Sequence, residues 1–416
     1  MPPVKIAIVG AGSRGLDCYG GYAEKHPEEF QVVAAAEPRQ NFRREIAERH
    51  HIPAERQFKD WRELAALPKL ADAVIIATND DMHREPAIAF MEKGYHILLE
   101  KPMAPSAADC RAINEAAHKY GVLFAVCHVL RYSPYFVRLR NIVQSGAIGE
   151  IVTVRHLEKV CYWHQAHSFV RGNWRNSETT SPMILAKSCH DMDIMLFLLG
   201  RKCRKVSSFG NLNYFRPEKR PAGAADRCLD CPLCDSCIYS AKTFYLRKLY
   251  SGDHYWPLNV ITRDFTEQGV LNALREGPYG RCVFACDNNV VDNQVVCMDF
   301  EGDVSASFTM TAFTPDGGRE TEFMGTHGRV YGDGRYITVQ RFGAEETVTY
   351  DTEVAGGMFS GGHGGGDQAM MHEFYEAITA NDPSLLCSGP DISLMGHLMA
   401  FAAEESRITG KTITLS

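Results

Sequence analysis

The chain begins with an apolar run, Val4-Lys5-Ile6-Ala7-Ile8-Val9, that stops at Gly10-Ala11-Gly12-Ser13-Arg14-Gly15 before a helical pattern sets in. No other feature restricts the fold as strongly. A short strand that is apolar at nearly every position belongs inside a parallel sheet covered on both faces, and G-x-G-x-x-G at its end specifies the turn that follows. Gly10 permits the tight turn, Gly12 lets backbone approach a pyrophosphate, and Gly15 lets helix and strand pack closely. The unpaired N–H groups at the helix start, around Ser13 and Arg14, then meet the phosphates. The next apolar strand ends in Glu37, about twenty residues beyond Gly15, where an acid should hold a ribose 2′-hydroxyl, and this favours NAD. Arg39, Arg43 and Arg44 follow closely and could hold a 2′-phosphate, so NADP stays open.

The alternation continues. "ADAVIIATND" reads as a strand, residues 83–93 as a helix, "YHILLE" as a strand, residues 106–120 as a helix and "VLFAVCH" as a strand. Apolar strands alternating with helices make a doubly wound parallel sheet of the Rossmann type. Its ligands bind at the carboxyl ends of the strands, which here carry Thr78 and Asn79 with His83 just beyond, then Glu100, Lys101 and Pro102, then His128 and Arg131. Pro102 stops its strand and leaves Lys101 projecting from that edge.

A chain of 416 residues is too long for one average core and fits two domains. Its 51 acidic and 44 basic residues give a formal charge of −7 and form no basic stripe, which argues against a nucleic-acid partner. No apolar run reaches the roughly 18 residues that a membrane helix needs, and "MPPVKIAIVGAGSRG" lacks the regions of a signal peptide. A soluble cytoplasmic protein is expected. Fourteen cysteines then read as reduced thiols or metal ligands rather than a disulfide framework.

In the second half, "SPMILAKSCHDMDIMLFLLG" is apolar except for a central island of Lys187, His190, Asp191 and Asp193. As one helix it sets Lys187, His190 and Asp193 at i, i+3 and i+6, along one face. A solvated Lys187–Asp191 pair is the plainer account of the same residues. The glycine loop, the "EKP" tripeptide, "RYSP" at residues 131–134, the H-x-x-D of His190 and Asp193, and the closing "AAEESRITGKTITL" together resemble the Gfo/Idh/MocA oxidoreductases. That resemblance covers nearly the whole length. It implies a nucleotide-binding domain over residues 1–127 and an α+β substrate and oligomerisation domain over 128–390, built on a large open antiparallel sheet. Residues 391–416 form a last helix and strand packing near the first domain. It also implies a homodimer or homotetramer through the open sheet. Lys101, His190 and Asp193 take the positions of the family's lysine and H-x-x-D. Inositol-dehydrogenase-like members carry an aspartate four residues before that histidine, where this chain has Ala186 beside Lys187.

With the resemblance in place, the island is read as a catalytic site. His190 is the expected base for a hydroxyl proton, Lys101 the group that stabilises alkoxide charge, Asp193 the residue that orients the imidazole, and Lys187 a proton carrier or substrate clamp. The stretch "CYWHQAHSFVRGNWRN" supplies candidate substrate residues in Tyr162, His164, Arg171 and Trp174, since rings stack on a sugar's C–H face while polar neighbours meet its hydroxyls. His363, in "GGHGGGD", reads as part of a tight turn, with a flexible lid residue as the alternative. Cys228, Cys231, Cys234 and Cys237 are each separated by two residues, a spacing that suits a structural zinc, with an iron–sulfur cluster as the lesser alternative and Cys203 or Cys282 as a distant fourth ligand for it. They fall in a loop insertion near 216–240. The function expected is NAD(P)-dependent oxidation or reduction of a secondary hydroxyl on a sugar, glycoside or cyclitol. A redox glycosidase with tightly held NAD and a non-catalytic nucleotide-sensing regulator are the alternatives.

Overall fold

The computed structural model describes residues 2–353 and 362–415. Six strands form the first sheet: β1 (Val4–Val9), β2 (Phe30–Ala36), β3 (Gln57–Phe58), β4 (Ala73–Ile76), β5 (His96–Leu99) and β6 (Phe124–Val126). Their order is β3-β2-β1-β4-β5-β6, and every pair is parallel. The order reverses between β1 and β4, which opens a crevice at the carboxyl ends of those strands. Continuous apolar runs are required here because both faces are covered. Phe90, Ile113 and Ala117 pack on one face and Leu16, Ile46 and Tyr19 on the other.

Two late helices complete these layers. The helix Gly366–Ala380 lays Met370, Met371 and Phe374 on the same core as Ile6 and Ile8. Although its sequence falls within 128–390, it packs on the nucleotide sheet, because its apolar stripe faces that core. The helix Pro390–Thr409 buries Met399, Ala400 and Ala403 in the second core and sets Phe401 between the two cores.

The second sheet has nine strands: β7 (Ile151–Lys159), β8 (Cys203–Asn211), β9 (Asn293–Phe300), β10 (Val304–Thr311), β11 (Gly318–Gly325), β12 (Gly328–Gly332), β13 (Tyr336–Arg341), β14 (Thr347–Asp351) and β15 (Ile413–Thr414). Their order is β14-β13-β12-β11-β7-β10-β9-β8-β15. The expected antiparallel sheet is mixed, since β10 lies parallel to β7. The chain leaves β7, builds the aromatic segment, the island helix, β8 and β9, and returns by a crossover long enough for a parallel pair.

Antiparallel β8 and β9 are neighbours, yet residues 212–292 intervene between them. This insertion is much longer than 216–240, and it has a small core of its own built from Ala241, Tyr245, Leu258, Val270 and Leu274. It reaches back to the first domain, where Asn259 Nδ2 and Arg263 Nη2 both donate to Asp17, at 3.0 and 2.9 Å. Among the described residues, no helix is long and apolar enough to cross a membrane.

Candidate active site

The three glycines of the first turn are not equivalent. Gly10 has φ +90°, and a Cβ there would meet the Ala77 carbonyl oxygen at 2.6 Å. A Cβ on Gly15 would press into the Gly10 carbonyl. Both positions are therefore glycine for the chain's own packing. At Gly12 the nearest atom to an added Cβ is Arg39 Nη2, 3.6 Å away. Among the described residues nothing excludes a side chain there, so the open cradle fits a ligand that must come close to backbone. Glu37, at the end of β2, is 1% exposed. It accepts from the Ala11 N–H at 2.8 Å and from Arg39 Nε at 2.7 Å. Burial alone would raise its pKa, but these hydrogen bonds outweigh burial and hold the carboxylate below its ordinary range. Arg39 thus lies between the acid and Gly12, while Arg43 donates to the Glu37 carbonyl and Arg44 pairs with Glu48.

At the ends of β4 and β5, Thr78 is half-buried, Asn79 is exposed and His83 is buried. The His83 ring contacts the Pro102 carbonyl at 2.8 Å and the Thr78 carbonyl at 3.3 Å, which fastens the two strand ends together. Glu100 accepts from Arg14 Nε at 2.5 Å, from the Tyr19 hydroxyl and from the Lys101 N–H at 3.0 Å. Arg14 also reaches Asp367 at 2.7 Å. Its side chain therefore locks the glycine loop to β5 and to the helix Gly366–Ala380.

Lys101 projects across the crevice, and its Nζ donates to the Ala186 carbonyl at 2.8 Å. The island is not one regular helix. Met183–Ala186 forms a short turn, the backbone widens at Lys187 and Ser188, and Cys189–Leu199 follows. The expected shared face of Lys187, His190 and Asp193 is corrected accordingly. His190 is 5% exposed, its Nδ1 has no hydrogen-bond partner among the described residues, and its ring lies 5.9 Å from His128 and 6.0 Å from His363. Burial and the nearby Lys101 ammonium depress its pKa well below the ordinary histidine value, so the imidazole is neutral. Asp193 does not orient it. Arg131 holds Asp193 through Nε at 2.7 Å and Nη2 at 2.8 Å, and its Nη1 also donates to the Cys387 carbonyl at 3.1 Å. This buried pair lies within residues 128–390 and engages Asp193 and Arg131 with each other, in place of the expected orienting role of Asp193 and cofactor role of Arg131.

Lys187 does not pair with Asp191. Its Nζ lies 3.0 Å from Glu158 Oε1, and Glu158 Oε2 lies 3.0 Å from Arg319 Nη2. Arg319 in turn donates to Asp191 at 2.6 Å, and Asp191 contacts His156 Nε2 at 3.0 Å. Burial opposes ionisation of Asp191, but Arg319 and His156 outweigh it and hold the carboxyl well below its usual range. This charged floor rises from β7 and β11, and no motif in the sequence pointed to it. A signal was present in β7, where Val154, His156 and Glu158 share one parity and are all buried. Polar residues on a core-facing parity of a strand mark a site.

The aromatic segment starts at Cys161, whose φ of +65° turns Tyr162–His164 away from β7. His164 meets Trp163, Phe169 and Trp256 and is kept neutral by burial and by Lys187 and Lys101. Trp174 Nε1 donates to Asp80 at 3.2 Å, and its ring lies under Lys101 Nζ at 5.8 Å. Tyr162 is half-buried and faces Tyr239 at 6.1 Å. Arg171 is not a substrate residue. It is buried and donates to the carbonyls of Arg281 and Tyr239, both at 2.7 Å. His363 contacts Asp367 at 2.9 Å and faces His190. It is therefore more than a turn residue. The expected zinc set also differs from the structure. Among the described residues, no three cysteine sulfurs lie within 4.8 Å of one another, whereas bonds of about 2.3 Å to one zinc bring thiolates to roughly 4 Å apart.

Residues 4–128 match the family model described as "Oxidoreductase family, NAD-binding Rossmann fold", and residues 140–415 match "Oxidoreductase family, C-terminal alpha/beta domain". The chain is 24% identical to the putative oxidoreductase YteT of Bacillus subtilis over 85% of its own length and 81% of that protein. It is 31% identical to the 2,7-anhydro-N-acetylneuraminate hydratase of Escherichia coli over 40% of this chain and 45% of that one, so this match spans less than half of the relative. A solved structure of levoglucosan dehydrogenase, in complex with NADH and levoglucosan, shares the fold with a TM-score of 0.72 at 18% identity, covering 99% of both chains.

Proposed function

Because the chain belongs to the Gfo/Idh/MocA oxidoreductase family, with its NAD-binding Rossmann fold and C-terminal alpha/beta domain, we propose that it transfers hydride between NAD(H) and a secondary hydroxyl of a sugar, glycoside or cyclitol. One observation carries this reading: Lys101, at a strand end of the nucleotide domain, reaches the Ala186 carbonyl of the second domain, and its ammonium is near enough to help depress the pKa of the buried His190. NAD, when bound, supplies the hydride acceptor or donor. Gly12, the Ser13 and Arg14 N–H groups and Glu37 would hold its phosphates and ribose. Thr78, Asn79, Glu100 and Lys101 border the remainder of the crevice. His190 takes the proton of the reacting hydroxyl, and the Lys101 ammonium stabilises negative charge on its oxygen. Lys187, braced by Glu158, offers a donor to a neighbouring hydroxyl, while Trp174, His164 and Tyr162 give the ring an apolar wall.

A redox-neutral course is the second reading. It is favoured by Lys187–Glu158 in place of a carboxylate at position 186 and by a relative that is named a hydratase. We place the protein in the cytoplasm, where a reducing milieu keeps its thiols free. We also propose a homo-oligomer through the outer sheet face, where Phe209 and its partner Val295 are exposed.

Calorimetric titration with NAD(H) and NADP(H), followed by a panel of pyranoses, glycosides and cyclitols, tests the assignment. Tighter NAD(H) binding and reduction of NAD by at least one ring compound are expected. Product formed without net NADH would select the redox-neutral course. Cofactor binding with no turnover on any member of the panel would instead indicate a nucleotide-sensing regulator and sink the enzymatic reading.

A further inference from the structure

The insertion contains a cavity of about 270 Å³ lined by Cys228, Cys231, Cys234, Cys237, Cys282 and Arg171. That volume is several times the ~30 Å³ share of a water, and a single zinc would need no void at all, because its thiolates close directly onto it. Cys203 is elsewhere, on β8 in the core of the second domain. Cys282 is drawn in by the bridge between Arg227 and Arg281, and its N–H donates to the Asp226 carbonyl at 2.7 Å.

Arg171 supplies an independent observation. Its side chain is 4% exposed, and among the described residues no carboxylate lies within ion-pair distance of it. Its partners are two carbonyls and Cys228 Sγ, at 3.6 Å. A buried guanidinium with only neutral acceptors is costly unless an anion accompanies it. The sulfur of Cys228 also accepts from the Ala241 N–H at 3.4 Å, at the first turn of the helix Ala241–Tyr250, and Cys234 Sγ lies 3.1 Å from Ser240 Oγ. Backbone N–H groups and a cation aimed at cysteine sulfur are the surroundings that accompany sulfur-ligated clusters.

We propose that the cavity holds a cubane iron–sulfur cluster bound by three cysteines of the Cys228–Cys237 run together with Cys282. Each thiolate binds a different iron, so the sulfurs stand further apart than around one ion, and among the described residues no three of them come within 4.8 Å of one another. Cysteines two residues apart reach three corners of a cubane, and the remaining ligand comes from a distant part of the chain. The cluster is a structural element: it is the counter-charge for Arg171 and fastens an arm whose own core is small. No electron transfer is assigned to it.

Full-length chain produced and purified without oxygen tests this. About four iron and four acid-labile sulfide per chain, with visible charge-transfer absorption and no zinc, is the expected result. Cys282→Ser should lose at least half of the iron, whereas Cys297→Ser, on the exposed β9 cysteine, should keep it all. Arg171→Gln should shorten the lifetime of the cluster in air. One equivalent of zinc without iron, or folded metal-free chain whose cavity thiols all react with a thiol reagent, would overturn the proposal. Both are read on the native protein, so they decide between cluster and zinc even where a variant fails to fold.

Discussion

Lys101 leaves the nucleotide sheet with its ammonium on the Ala186 carbonyl, at the point where the island's backbone widens. A substrate hydroxyl can displace that weak neutral acceptor at little cost, whereas an ion pair would hold the lysine back. In the proposed reaction His190, already neutral, needs no prior deprotonation to act as base. Lys101→Met or His190→Ala should lower turnover by roughly two to four orders of magnitude, with NAD affinity nearly unchanged. Lys187→Met should raise KM as well as lower kcat, and steady-state kinetics beside a binding titration separates the two. Since burial and Lys101 depress the His190 pKa, the acid limb of the oxidation profile should fall below pH 6.5. Lys101 was legible because a strand end and a proline fixed its place. The partners of Asp193 and Lys187 were not, because Arg131 and Glu158 arrive from distant elements and no local spacing announces them.

Among the elements, the glycine turn offers the cleanest separation of folding from binding. Gly15→Ala forces a Cβ into the Gly10 carbonyl and should cost about 1–3 kcal/mol of stability. Gly12→Ala meets only the tip of Arg39 and should leave the melting temperature within a degree or two while weakening NAD binding at least tenfold. Equal loss of stability in both variants would remove Gly12 from the cofactor site. Strand and helix assignments in the first domain were readable because burial on both faces writes uninterrupted apolar runs. In the second sheet, the parallel β7–β10 pair was hidden by the length of the crossover. The insertion was read too short, because its helices pack a core of their own rather than follow the surrounding pattern.

At the scale of the whole molecule, histidine burial sets the response to acid. His128, His167, His190 and His397 are each at most 5% exposed, and burial depresses all four, His167 and His397 to about 3. Unfolded, each takes up a proton as pH falls through 6.5; folded, each stays neutral. The unfolded chain then binds more protons, so stability present above pH 6.5 is lost on acidification, at about 1.4 kcal/mol per pH unit for each histidine. Four such groups together approach the 5–15 kcal/mol that a domain possesses. Thermal melts should show a steep fall in stability between pH 6.5 and 5, and a flat profile across that range would mean that these imidazoles reach water. Two domains could be inferred from length and from the Rossmann signature. That the helix Gly366–Ala380 returns to the first core could not, since one apolar stripe fits either core equally well.

The chain has four tryptophans. Trp163 and Trp256 are in ring contact at 5.4 Å, and Trp174 lies beneath Lys101. The fourth, Trp61, sits apart, on Phe90 behind the first sheet. Three of the four indoles therefore lie on or against the aromatic segment proposed to face the substrate. A reduced nicotinamide absorbs where indole emits, so the proposed cofactor site gives the protein its own optical gauge: its emission should dim as the reduced cofactor binds and brighten as it leaves.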